Sequence, residues 1–195
     1  MDYDFFAYLS RMKYIDRWSL MRSTERENVQ EHSHTTAALA HCLGLIRREV
    51  FGRPCDPEAL AVAALYHDAP EILTGDLPTP VKYHGRELKR AYDEIEELAV
   101  EKLLSALPPE LRPAYRRCLT ASQRPEEYRL VKAADRLSAY IKCVEERRAG
   151  NREFLSAEES ARRRLAEMKL PEVDWFLERF AAGFEKNLDE LGTLE

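Results

Sequence analysis

Imidazole and carboxylate are the ligand types that a hydrolytic divalent-metal site requires. This chain offers them as His32, the adjacent pair His67 and Asp68, and Asp135. If the four converge, the chemistry they support is metal-assisted hydrolysis. Successive residues on a helix point about 100° apart, so His67 and Asp68 can share one metal only near a helix end or bend. Pro70 supplies one. Glu71 stands four residues after His67, where a carboxylate can take or give a proton. Arg17 is a fork for phosphate oxygens, and Trp18 is a flat wall for a sugar or base. Taken singly, each residue has an ordinary structural explanation: a core or capping histidine, a solvated helix carboxylate, a surface arginine beside a core tryptophan. His34 and His41 compete with His32 as ligands. His41 reads most simply as a core residue, His84 beside Gly85 as solvated, and Lys82 and Arg22 as cations without an assigned role.

The elements that must position these groups are helical. Leu, Ala, Glu, Arg and Lys dominate, and only 7 glycines occur. Phe5, Phe6, Leu9, Met12 and Ile15 fall at helical spacing over about 2–15. A polar stretch runs from Asp16 to Ser33, and 34–49 is apolar almost all round, as in a central buried helix. Asp56-Pro57 is an N-cap followed by proline, opening a helix over 57–68. That places His67 and Asp68 in its last turn. The loop Thr74–Pro80 is stiffened by two prolines. Helices are predicted over about 86–106, 126–148 and 172–191. Asp135 falls on a shoulder of the apolar stripe Leu130, Ala134, Leu137, Ile141, Val144. The last helix aligns Val173, Phe176, Leu177, Phe180, Phe184, Leu188 and Leu191 on a stripe suited to core or a subunit contact. The fold class is an all-α, single-domain helical bundle over 1–195, with a metal-site core over about 28–142 and C-terminal helices over about 150–191.

The bulk numbers fit. A chain of 195 residues, 45% apolar and 33% charged, builds one well-buried core. A net charge of −5 disfavours nucleic acid polymers and anionic membranes as partners. Cys42, Cys55, Cys118 and Cys143 show no close pairing and read as thiols outside any disulfide framework. The acidic N-terminus lacks a signal pattern, and no apolar run approaches the ~18 residues of a membrane span. The expected location is the cytoplasm.

The order H…HD…D resembles the HD-domain metal phosphohydrolases. Arg17-Trp18 with Leu20-Met21-Arg22, Glu27-Asn28-Val29 with Glu31-His32-Ser33, Tyr66-His67-Asp68-Ala69 with Glu71, Leu73 to Lys82, and Lys132 with Ala134-Asp135 all look like the bacterial 5′-deoxynucleotidases of that superfamily. The likeness runs from Phe5 to about Leu191, and its most specific part is the Thr-Gly-Asp-Leu-Pro-Thr-Pro loop. The resemblance implies an HD-type helical bundle, usually a homodimer. It implies one divalent metal, Co²⁺ or Mn²⁺, on His32, His67, Asp68 and Asp135. Glu71 would orient or deprotonate the attacking water, and Arg17 would hold the phosphate. Trp18 would crowd the sugar's 2′ side, and Asp76, Leu77, Pro78 and Thr79 would hold the sugar, with His32, Asp68 and Asp135 also lining the substrate. The implied reaction is hydrolysis of deoxyribonucleoside 5′-monophosphates, with ribonucleotides rejected. Two alternatives stand beside it: an HD phosphohydrolase with another nucleotide substrate, and a non-catalytic HD-fold nucleotide-binding module. The single H-D pair, the Arg17-Trp18 pair and the short loop weigh against the first, and the complete residue set against the second.

Overall fold

The computed structural model describes residues 2–78, 85–120 and 125–192, and not the side chains of 126 and 127. Among these residues the elements are helical, apart from one isolated antiparallel bridge, Asp16 to Asn28. In chain order they are α1 (Phe5–Leu9, continued as a 3₁₀ turn to Tyr14), α2 (Val29–Leu45, ending in a π turn to Val50), α3 (Pro57–Leu65), α4 (Glu71–Thr74), α5 (Arg86–Ser105), α6 (Arg112–Leu119), α7 (Pro125–Arg148), α8 (Leu155–Glu167), α9 (Pro171–Phe180) and α10 (Leu188–Leu191).

The main core gathers α2, α3, α7, α8 and α9 around Leu39, Leu43, Leu60, Leu130, Leu137, Leu165 and Phe176. A second cluster sets Phe5 of α1 and Ala69 against Val100, Leu103 and Leu104 of α5 and Leu119 of α6. Gly44 lets α2 and α3 meet: a Cβ there would lie 2.9 Å from the Pro57 backbone. No disulfide joins the four cysteines. No described helix is long and apolar enough to cross a membrane.

Several boundaries differ from the sequence expectation. α2 starts at Val29, inside the stretch read as polar loop. The reason is a capping box: Asn28 Oδ1 accepts from the Glu31 N–H (3.0 Å), and Glu31 Oε2 accepts from the Asn28 N–H (3.1 Å). His32 therefore lies within the first turn of α2, at 0% exposure, rather than ahead of a later helix. α3 ends at Leu65, so His67 and Asp68 follow the helix instead of occupying its last turn. Pro70 lacks the N–H that would bond Tyr66, whose carbonyl accepts from Ala69 (3.1 Å) instead. The last predicted helix is broken. α9 stops at Phe180, a 3₁₀ turn follows, and a capping box at Asn187 starts α10. Val173 and Phe176 are buried, whereas Phe180, Leu188 and Leu191 are exposed. α6 and α8 were not separately predicted. The α5 and α7 predictions match within a residue.

Candidate active site

Three segments converge at the end of α3. α2 brings His32, the turn after α3 brings His67 and Asp68, and α7 brings Asp135. One ligand atom from each of His32, His67 and Asp135 lies within 4.8 Å of the others. Asp68 joins them through Oδ2, 3.1 Å from His67 Nε2 and 3.5 Å from His32 Nε2. His32 Nε2 is also 3.2 Å from Asp135 Oδ1. The imidazole rings stand 5.3 Å apart.

The other ring nitrogens fix how the imidazoles present themselves. His67 Nδ1 lies 2.6 Å from the Ala64 carbonyl, which can only accept, so Nδ1 donates and Nε2 turns inward. That Nε2 is buried and makes no hydrogen bond. His32 Nδ1 pairs with Ser138 Oγ at 3.1 Å, pointing its Nε2 at both carboxylates. Imidazole nitrogen and carboxylate oxygen thus gather in one buried cluster, with Asp68 Oδ2 and Asp135 Oδ1 both close to His32 Nε2. Nitrogen and oxygen donors in this number suit a divalent transition metal. The residues present fit such an ion.

Charge around the cluster is arranged to match. Burial alone would raise the Asp68 carboxyl, but His67 and then His32 hold it well below the usual range. Asp135 is likewise held low against its burial, chiefly by Lys132, whose Nζ lies 2.5 Å from Oδ2. Asp135 in turn raises Lys132. Burial, then Arg17, lowers His32. For Arg17, burial acts downward, and Asp68, Asp135, Glu27 and Asp76 outweigh it.

Arg17 stands at the edge of the cluster, with Nη1 3.5 Å from Asp68 Oδ2 and Nε 3.1 Å from Glu27 Oε2. Trp18 is half-buried, packed at 5.3 Å against Phe154, in left-handed backbone (φ 57°). A bulky residue is rarely found there. Glu71 is buried at the start of α4, its N–H bonded to the Asp68 carbonyl (3.0 Å). After Gly75 (φ 72°) the chain turns into half-buried Asp76, Leu77 and Pro78. Thr79, Lys82 and His84 lie outside the described residues. His34 is exposed, His41 half-buried, and neither joins the cluster among the described residues. Arg22 is solvent-facing and paired with Glu153.

Sequence reasoning missed the parts played by Ser138, Lys132 and Glu27. A signal existed for Ser138. Asp135, Ser138, Lys142 and Glu146 recur at helical spacing, a polar seam beside the apolar stripe of α7. Ser138, Lys142 and Glu146 on that seam are buried. Glu27, a loop residue, carries no periodicity; its signal was its place in the string Glu27-Asn28-Val29 that carries the family resemblance.

The bundle and its buried His/Asp cluster define an HD-type phosphohydrolase. An HD-domain phosphohydrolase of Listeria innocua superposes with a TM-score of 0.81 at 26% identity, over 97% of this chain and 92% of its own. The fold alone is shared with the HD phosphohydrolase DatZ of cyanophage S-2L, solved with dA and one catalytic Zn²⁺ ion (TM-score 0.65, 24% identity, 93% and 96% coverage). Within that class the chain belongs to the 5′-deoxynucleotidase YfbR-like family, whose model matches residues 4–184. It is 50% identical over 188 residues to a 5′-deoxynucleotidase of Vibrio vulnificus (96% of this chain, 97% of the relative). It is 48% identical to one of Erwinia tasmaniensis (96% and 95%).

Proposed function

We propose that this chain hydrolyses deoxyribonucleoside 5′-monophosphates to deoxynucleoside and phosphate, and that it selects against ribonucleotides. Family membership and relatives of nearly the same length support the reaction. The observation that carries it to particular residues is the buried His/Asp cluster with a guanidinium against its edge. His32, His67, Asp68 and Asp135 would hold one divalent ion, Co²⁺ or Mn²⁺. Such an ion, when bound, supplies Lewis acidity toward phosphoryl oxygen and lowers the pKa of water.

The chain's own residues supply the rest. Arg17, paired with Asp68 at the cluster's edge, offers its guanidinium to the phosphate and to the negative charge that develops during transfer. Glu71 orients or deprotonates the attacking water. Water forms the new P–O bond, the bond from phosphorus to the 5′ oxygen breaks, and a proton ends on that oxygen. Asp76, Leu77, Pro78 and Thr79 take the sugar, and His32, Asp68 and Asp135 line the phosphate end. Trp18 lies beside Arg17 in the chain and is held by Glu27 and Phe154, which suits a wall against a 2′-hydroxyl. A homodimer acting in the cytoplasm on small molecules, with no nucleic acid polymer or membrane partner, completes the reading.

The test is phosphate release by metal-stripped protein resupplied with Mn²⁺ or Co²⁺, over matched deoxyribo- and ribonucleoside monophosphates. Release from deoxy substrates well above ribo is expected. No release from any deoxy substrate sinks the activity. Equal release from both sugars sinks only the selectivity.

A further inference from the structure

The segment between Asp16 and Asn28 is a loop closed at its neck. The Arg17 N–H bonds the Glu27 carbonyl (2.9 Å), and the Val29 N–H bonds that of Ile15 (3.0 Å). Inside the neck a single oxygen, Glu27 Oε2, accepts from both Arg17 Nε (3.1 Å) and the Trp18 indole N–H (2.8 Å). We propose that Glu27 is a positioning residue that locks Arg17 and Trp18 into one unit, so that phosphate placement and sugar discrimination are set together. The inference rests on the roles given to Arg17 and Trp18 above.

Three observations carry it. First, the Arg17 and Glu27 side chains are only 12% and 14% exposed, so their charge-assisted bond is shielded from water. Second, Arg17 sits between two carboxylates, with Asp68 Oδ2 at 3.5 Å on its other side. Without the Glu27 charge, the guanidinium is free to settle fully on Asp68 and withdraw from incoming phosphate. Third, the left-handed backbone at Trp18 carries a steric cost. The indole is held in place from outside, by Glu27 on its N–H and by Phe154 on its ring.

The experiment measures kcat and KM with Mn²⁺ on matched deoxy- and ribonucleotides for wild type, Glu27→Gln, Trp18→Phe, Trp18→Ala and the Glu27→Gln/Trp18→Ala double variant, together with bound metal. Glu27→Gln is expected to lower kcat/KM on the deoxy substrate about tenfold. It should also narrow the deoxy-to-ribo ratio while leaving metal content unchanged. Trp18→Phe, which removes the indole N–H together with part of the ring but keeps an aromatic side chain, should narrow the ratio in the same direction. In the double variant, Glu27→Gln should narrow it no further than Trp18→Ala alone. A Glu27→Gln protein that melts lower but keeps the wild-type ratio, while Trp18→Ala narrows it, overturns the proposal and leaves the Trp18 reading standing. If Glu27→Gln does not fold, an unchanged ratio in Trp18→Phe overturns it equally. An unchanged ratio in Trp18→Ala defeats the Trp18 reading and the coupling with it.

Discussion

The two histidines of the cluster are oriented by different kinds of partner, and this decides what substitution can undo. His67 is held by the Ala64 main-chain carbonyl, which no side-chain change removes. His32 is held by the Ser138 hydroxyl, which one does. Ser138→Ala should therefore weaken metal binding by roughly 10–100-fold with the helical fold intact, because the group that orients the ligand ring is lost. Competition against a metallochromic chelator measures this, and unchanged affinity would detach Ser138 from the site. Asp135→Asn should cost more, since it alters a ligand atom and leaves the Lys132 ammonium facing a neutral amide. Retained metal and rate would remove Asp135 from the ligand set. At this scale His32, His67, Asp68, Asp135, Glu71 and Arg17 stood out in the sequence through their combination and order, since each alone has an ordinary explanation. The parts of Glu27 and Ser138 did not, because they consist of what these residues touch.

Helices meet here through small residues as much as large ones. Gly44 on α2 faces Pro57 and Leu60 so closely that Gly44→Ala places a methyl group 2.9 Å from backbone and 3.0 Å from side chain. Alanine is the better helix former, yet overpacking should dominate, at a net loss of about 1–3 kcal/mol in denaturant titrations. A stabilised variant would show that α2 and α3 part freely. Helices over 86–105 and 125–148 were legible because long amphipathic runs carry a strong period. The start of α2 was not, because polar residues of a first turn look like loop until the Asn28–Glu31 reciprocity is weighed. The end of α3 was misplaced by three residues. Pro70 acts through the hydrogen bond it cannot donate to Tyr66, and so breaks the helix a full turn upstream of itself.

Over the whole molecule, the loop bearing Arg17 and Trp18 is fastened to α7 far from the cluster. Glu146, 1% exposed, accepts from the Thr24 N–H (2.8 Å), the Thr24 hydroxyl (2.8 Å), the Glu25 N–H (3.2 Å), Lys142 (2.6 Å) and Asn151 (2.8 Å). Burial would raise its carboxyl, but Lys142 and these donors bring it down from an ordinary 4.5 to about 2. A depressed carboxylate stabilises the fold fully above its unfolded-state value and loses that contribution as pH falls through the folded one. Thermal stability should therefore drop between about pH 4.5 and 2. Glu146→Gln should flatten that drop and cost about 3 kcal/mol at neutral pH by stranding buried Lys142. An unaltered acid limb in the variant would refute the assignment. Saturating Mn²⁺ should raise the melting temperature of stripped protein, since an ion bound only by the folded state stabilises it by about 3–4 kcal/mol at 100–1,000 times its Kd. No shift would contradict a folded-state metal site.

The seam on α7 has an evolutionary and engineering consequence. Asp135 and Ser138 serve the cluster at one end, while Lys142 and Glu146 moor the loop bearing Arg17 and Trp18 at the other, all by way of one uninterrupted helical pitch. Inserting or deleting a single residue between Ser138 and Lys142 would swing one end about 100° around the axis relative to the other. Both ends would remain helical, yet Ser138 and Glu146 would no longer meet His32 and Thr24 together. Exchange of side chains along this stretch is thus far better tolerated than any change in its length.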